Sequence, residues 1–237
     1  MANNERDKLP QRSSGAEVAE FLRKVAATPA RTSAERGRLI FAMDATASRE
    51  PSWDTACQIQ GQMFTETTAL GGLDIQLCYY RGFGEFEATP WLSNSGDLLA
   101  RMTGVRCLGG QTQIEKVLRH VITEARKKKV NALVFVGDCM EEDVDELCQL
   151  AGELGLLGVP AFIFHEGYEP IAERAFKQIA RLTRGAYCHF DASSAQQLRD
   201  LLSAVAVYAA GGRRALRDFS QRKGGVILQL THQIDRG

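Results

Sequence analysis

Between residues 37 and 211, short uninterrupted apolar runs alternate with longer segments whose apolar residues recur every three or four positions. The runs Arg38-Leu-Ile-Phe-Ala-Met-Asp44, Ala132-Leu-Val-Phe-Val136, Pro160-Ala-Phe-Ile-Phe164 and Ala186-Tyr-Cys-His-Phe190 predict buried strands. A parallel strand covered on both faces needs apolar side chains at odd and even positions alike. Residues 73–80 alternate instead, and 85–89 follow across Arg81-Gly-Phe-Gly84, which predicts a hairpin with a Gly-rich turn. Helix-compatible stretches fall at 52–69, 95–103, 142–156, 169–183 and 194–210. A long helix is expected to start at Thr112, with Ile114, Val117, Leu118, Val121 and Ile122 on one face. Lys127-Lys128-Lys129 closes it, where cations favour the negative end of the helix dipole, and a solvated helix end is expected there. This order of elements predicts an α/β, Rossmann-like, doubly wound fold. Its six-stranded sheet is mainly parallel with one antiparallel edge strand, and helices cover both faces.

The chain has 237 residues, 44% of them apolar, enough to bury a sizeable core. Its 29 basic and 29 acidic residues cancel, so no global field points to nucleic acid or a membrane surface. The charge is nevertheless segregated. Residues 1–36 carry a net +2, residues 212–237 a net +4 and the centre a net −6. Three regions follow: a basic N-terminal flank (1–36), a central domain (37–211) and a basic and apolar C-terminal tail (212–237). In the first flank Ser14 and Glu17 have capping-box spacing, and Val18, Phe21, Leu22 and Val25 form an apolar stripe. Residues 28–33 read as linker. In the tail, Gly224-Gly225 precedes the apolar Val226-Ile-Leu-Gln-Leu230, which is expected to fold back on the domain rather than stay in water. The start Met1-Ala-Asn-Asn-Glu-Arg is not a secretory signal, and no apolar stretch is long enough to span a bilayer. The six cysteines form no Cys-x-x-Cys pair, and most sit in apolar runs as buried thiols. A cytoplasmic protein without membrane insertion is the expectation.

Ligands of such sheets bind at the carboxyl ends of the strands. The first strand ends Asp44-Ala-Thr46-Ala-Ser48, a carboxylate and two hydroxyls at alternate positions that can converge above the sheet. The strand at 132–136 ends in Gly137-Asp138, and Thr112 lies just behind Gly109-Gly110. Two carboxylates and three hydroxyls on three loops form an all-oxygen site of low charge, which suits a hard divalent cation. Any one of these residues could equally be a helix cap. Elsewhere no catalytic set emerges. His120 falls mid-helix and His189 in a strand, while His165 and Glu166 end the fifth strand, where a solvated loop is expected. Trp53, Tyr79, Tyr80 and Phe83 lie near the upper face as core residues or interface anchors.

With these residues the sequence resembles the von Willebrand factor A (VWA) family. The family's hallmark is Asp-x-Ser-x-Ser after the first strand, a Thr in a Gly-Gly-Thr-like loop and an Asp after the fourth strand. The matching residues are Asp44, Thr46, Ser48, Thr112 and Asp138, and residues 176–187 and 198–205 resemble the end of a VWA domain. Thr46 stands for the usual first Ser, Gln111 separates Gly110 from Thr112, and Cys139 follows Asp138 where Gly is common. The resemblance covers about 37–211. It implies a metal-ion-dependent adhesion site holding Mg2+ or Mn2+, completed by an acidic residue of a protein partner, in a non-enzymatic adaptor. One alternative is a VWA domain that has lost its metal. Another comes from a weaker resemblance to haloacid-dehalogenase-like phosphatases, carried by Asp44 as nucleophile with Lys129, Gly137, Asp138 and Asp143. The general acid of that family would be Thr46 here, and a hydroxyl does not serve as one at neutral pH.

Overall fold

The computed structural model describes residues 36–67, 70–190 and 195–223, together with Glu20, Arg23 and Lys24 of the N-terminal flank. The expected N-terminal helix and linker and the apolar segment 226–230 lie outside the described residues.

Six strands form one sheet: β1 (Gly37–Asp44), β2 (Leu73–Arg81), β3 (Glu85–Ala88), β4 (Ala132–Gly137), β5 (Ala161–Glu166) and β6 (Ala186–Phe190). Their order across the sheet is β3-β2-β1-β4-β5-β6. All neighbours are parallel except β2 and β3, which pair antiparallel at the edge. The helices are α1 (Glu50–Ile59), α2 (Gly61–Thr67), α3 (Ser95–Thr103), α4 (Ile114–Lys127), α5 (Val144–Leu156), α6 (Pro170–Leu182) and α7 (Ala195–Lys223).

Strand pleating sends alternate residues of β1 into two separate cores. Leu39, Phe41 and Met43 pack with α1, α2, α3 and α7, whereas Ile40 and Ala42 pack with α4, α5 and α6. Every residue of β1 is buried, which is why Leu39 to Met43 are apolar without alternation. The sheet is therefore doubly wound, as the order of elements predicts. The expected stripe on α4 is buried as a block, but the helix begins at Ile114 with Gln113 at its N-cap, two residues after Thr112. Lys127, Lys128 and Lys129 lie exposed at its far end.

The helix after β6 breaks where the composition changes, but the core does not end there. Helical backbone extends from Ala195 to Lys223 but is interrupted at Gly212, where two helices meet and whose φ of 71° and ψ of −165° suit a residue without Cβ. Beyond the kink Ala215, Leu216 and Phe219 are buried in the same core as Leu39 and Phe41. Among the described residues no helix is long and apolar enough to cross a membrane, and all six cysteines are free thiols.

Candidate metal centre

After β1 the chain moves outward to β2 and then returns across β1 to β4, so β1 and β4 are neighbours that lead away in opposite directions. That reversal opens a crevice above their carboxyl ends. Asp44 ends β1 and Asp138 follows Gly137 at the end of β4. The topology alone thus brings together carboxylates distant in sequence.

The local chain supplies the hydroxyls. Asp44 Oδ1 accepts a hydrogen bond from the Thr46 amide at 2.7 Å, folding the segment back on itself, and Ala47–Arg49 form one turn of 3-10 helix. Thr46 and Ser48 converge because of this turn, not because of the strand alternation expected, since β1 has already ended at Asp44. Thr46 Oγ1 lies 3.3 Å from Ser48 Oγ, and Ser48 Oγ donates to Asp138 Oδ2 at 2.9 Å. Asp44 and Thr112 are buried, Thr46 and Asp138 are partly exposed and Ser48 is exposed, so the group opens to solvent on the Ser48 side.

Thr112 is held against the loop after β4 by Glu141, and no direct contact joins it to the other four. Its amide donates to Glu141 Oε2 at 3.1 Å, and its Oγ1 accepts from the Glu141 amide at 3.0 Å. The Glu142 carboxylate accepts from the Ile114 and Glu115 amides, at 2.8 and 2.7 Å, and caps α4. Gly110 lies so close to the β2–β3 turn that a Cβ there would collide with the Gly82 carbonyl. Only glycine lets the Thr112 loop sit that low.

Two features of the site fit a cation. Asp44 Oδ2 is buried with no hydrogen-bond partner, an arrangement that is costly for a carboxylate unless something else satisfies it. Burial is the main cause that raises the Asp44 carboxyl above its ordinary range; the hydrogen bonds of Thr46 pull it down and the Asp138 charge adds to the rise. The remaining donors are neutral hydroxyls and a second carboxylate, hard oxygen ligands of the kind Mg2+ and Mn2+ take.

Sequence reasoning missed the charged residues around this centre. Arg49, directly after Ser48, is 1% exposed and ion-paired with Glu166 at the end of β5. Ser52 donates to the same Glu166 carboxylate. Arg49 Nε and Nη2 have no hydrogen-bond partner. Burial lowers the guanidinium's affinity for its proton, and the charges of Asp138 and Asp44 are the leading effects that restore it. Arg49's position beside the hydroxyl motif was the available signal.

His165, expected on a solvated loop, is instead fully buried. One ring nitrogen lies 2.8 Å from Tyr187 Oη and the other 3.2 Å from the Asp138 carbonyl, so this side chain braces the loop that carries Asp138. Its ring packs edge-on to Phe176 at 5.1 Å. Trp53 and Tyr80 are core residues, whereas Phe83 is 84% exposed at the tip of the β2–β3 turn.

The phosphatase constellation is not assembled. Asp143 accepts from the Asp145 and Glu146 amides and caps α5. Lys129 precedes β4, on the opposite edge of the sheet from Asp44, about 20 Å away along a six-residue strand.

No protein-family model and no curated protein matches the sequence. Solved structures do match. A von Willebrand factor type A protein from Catenulispora acidiphila superposes with a TM-score of 0.60 at 13% identity, over 73% of this chain and 43% of that one. This chain therefore spans under half the length of that neighbour. The SpRpn10 VWA domain superposes with a TM-score of 0.54 at 15% identity, over 75% of this chain and 97% of the domain. Proximal thread matrix protein 1 from the mussel byssus, whose MIDAS motif is occupied by zinc, superposes with a TM-score of 0.58 at 14% identity, over 73% of this chain and 46% of that one. At these identities the likeness is one of architecture, and the architecture of this chain is that of a VWA-like domain.

Proposed function

We propose that this chain is a protein-interaction module without enzymatic activity. Asp44, Thr46, Ser48, Thr112 and Asp138 would hold Mg2+ or Mn2+, directly or through water. A cation there offers a hard, directional contact to a carboxylate on a protein partner. The observation that carries the reading is the buried, unpartnered Asp44 Oδ2 beside the Thr46–Ser48–Asp138 chain of hydroxyl contacts.

The surroundings support docking of a protein rather than turnover of a small substrate. Phe83, Leu108 and Tyr168 on loops and Ile171 in the first turn of α6 are exposed at the carboxyl end of the sheet. The Leu108 amide donates to the Ala45 carbonyl at 3.0 Å, which fixes this apolar rim beside the site. Exposed apolar and aromatic groups ringing a polar centre are typical of protein contacts. No feature of this face resembles a nucleic-acid groove, and the balanced charge of the chain agrees.

The test is titration calorimetry with Mn2+ and Mg2+, followed by thermal melts. Heat of binding and a raised melting temperature are expected, both lost in Asp44→Ala with the fold retained. Absence of binding at millimolar metal would transfer the reading to a metal-free interaction domain using the apolar rim alone. Aryl-phosphate turnover that disappears in Asp44→Asn would overturn the non-enzymatic reading.

A further inference from the structure

We propose that Arg49 is a resident counter-cation of the Asp44–Asp138 pair, holding the negative charge of the site when no metal is bound and setting how tightly a divalent cation binds. The effect on metal affinity rests on the proposed function; the effect on the metal-free protein does not.

Arg49 is an unusual residue to find beside a cation site. A guanidinium carries five N–H donors, and burying one with donors unspent is costly. Arg49 is 1% exposed, pairs with Glu166 through Nη1 and leaves Nε and Nη2 without partners. It closes the 3-10 turn that carries Ser48, so its backbone cannot move away from the hydroxyl motif. To reach Glu166 at the end of β5 from the turn after β1, its side chain crosses the end of β4, where Asp138 stands, and the charges of Asp138 and Asp44 both favour its protonated form. Glu166 in turn is anchored by Ser52, which holds the guanidinium at one end and leaves its remaining donors uncommitted.

The charge count gives the consequence. Asp44, Asp138 and Glu166 bring three negative charges and Arg49 one positive, a net −2 that a single divalent cation neutralises. A neutral residue at 49 would leave −3 with no resident cation. The empty site would then be less stable and the occupied one more favourable. Arg49 thus buys tolerance of the metal-free state by weakening the metal-bound one, because like charges brought together in a partly buried site repel.

A purely structural Arg49–Glu166 pair predicts something different. Breaking a structural brace from either side should perturb the site in the same direction. A counter-cation predicts opposite signs, because Arg49→Gln removes a positive charge and Glu166→Gln a negative one. The experiment is Mn2+ calorimetry with thermal melts on both variants at low salt. Expected are a lower metal-free melting temperature and a roughly tenfold tighter Kd in Arg49→Gln, and a roughly tenfold weaker Kd in Glu166→Gln. Arg49→Lys, which keeps the charge, should stay within about threefold of the unmodified protein. Kd values that shift the same way in Arg49→Gln and Glu166→Gln would overturn the proposal. If Arg49→Gln does not fold, Arg49→Lys and Glu166→Gln decide: a weakened Kd in both would overturn it.

If no form of the protein binds Mn2+, the metal reading fails and the counter-cation is judged by melting temperature alone. The destabilisation caused by Arg49→Gln should then shrink in an Asp138→Asn background, the signature of a direct charge coupling. Equal losses in both backgrounds would overturn the proposal.

Discussion

Two buried arginines stand near opposite ends of the first strand and are treated very differently. Arg38, at the start of β1, donates to the Lys128 carbonyl at 2.7 Å and to Glu124 Oε2 at 3.4 Å, and its guanidinium stacks 3.8 Å from the Trp91 ring centre. Trp91 and Lys127 complete the Glu124 carboxylate at 2.9 and 2.8 Å, and Asn131 bonds both the amide and the carbonyl of Arg38 at 2.8 Å. That end of the sheet is closed: its donors and acceptors are spent on one another. Arg49, beyond the other end of β1, keeps two nitrogens unspent beside a carboxylate oxygen in the same condition. A saturated polar cluster rigidifies a fold, whereas one with capacity left over is strained until something arrives to fill it. The difference separates a structural charge from one available for function.

The largest effect expected tests the closed end. Arg38→Met removes the buried guanidinium that joins Glu124 to the Lys128 carbonyl and the Trp91 ring, and breaking such a buried cluster should cost about 3 kcal/mol. Denaturant unfolding should show this loss unchanged by Mn2+, in contrast to the loss in Arg49→Gln, which metal should refill. A metal-dependent loss in Arg38→Met would erase the distinction between the two ends. Next in size is the stabilisation by Mn2+ itself, about 2.7 kcal/mol at a free concentration 100-fold above Kd. It should vanish in Asp44→Ala and persist in Arg38→Met.

A smaller effect is expected at Gly110, where alanine must push the Thr112 loop away from the Gly82 carbonyl. Overpacking of this kind costs about 1–3 kcal/mol, and Mn2+ affinity should fall with it because Thr112 moves. Calorimetry showing wild-type affinity in Gly110→Ala would remove Thr112 from the set of ligands. The smallest effect concerns acid. Burial pushes the Glu124 carboxyl up, but hydrogen bonds from Lys127 and Trp91 outweigh it and hold the group below its ordinary value of 4.5. A carboxylate lowered in this way contributes stability that is full above pH 4.5 and lost as pH falls through the folded value. Unfolding midpoints measured between about pH 5 and 3 should therefore decline less steeply in Glu124→Gln. An equal slope would mean that this carboxylate does not set the acid limb.

The sheet was legible because its strands obey one rule. Leu39 to Met43 and Leu133 to Val136 are apolar at every position, and only burial on both faces accounts for that pattern. Asp44 and Asp138 were legible as the first polar residues after such runs. The charges around them were not. Arg49 and Glu166 meet across 117 positions of sequence only because β1, β4 and β5 lie side by side, and neither carries a local periodicity that marks it as buried. His165 was misplaced for a related reason. It follows an apolar run at a strand end, where loops are usually wet, yet Phe176 and Tyr187 from α6 and β6 close over it. Composition marked the break at Gly212 but not the extent of the core: arginines at 213, 214 and 217 suggest a tail, while Leu216 and Phe219 on the same turns belong to the core.

The placement of β1 between β2 and β4 also fixes when the charged centre comes into being. Ser48 and Asp138 are 90 positions apart, and β1 has no neighbour on that side until β4 has been made. During synthesis Asp44, Arg49 and the hydroxyls between them leave the ribosome well before Asp138 and Glu166, and wait in water as an open strand end. Desolvation of the two early charges is thereby deferred to the pairing of β1 with β4 and the arrival of β5, which bring their partners. A nascent chain halted before β4 would keep Asp44 and Arg49 hydrated.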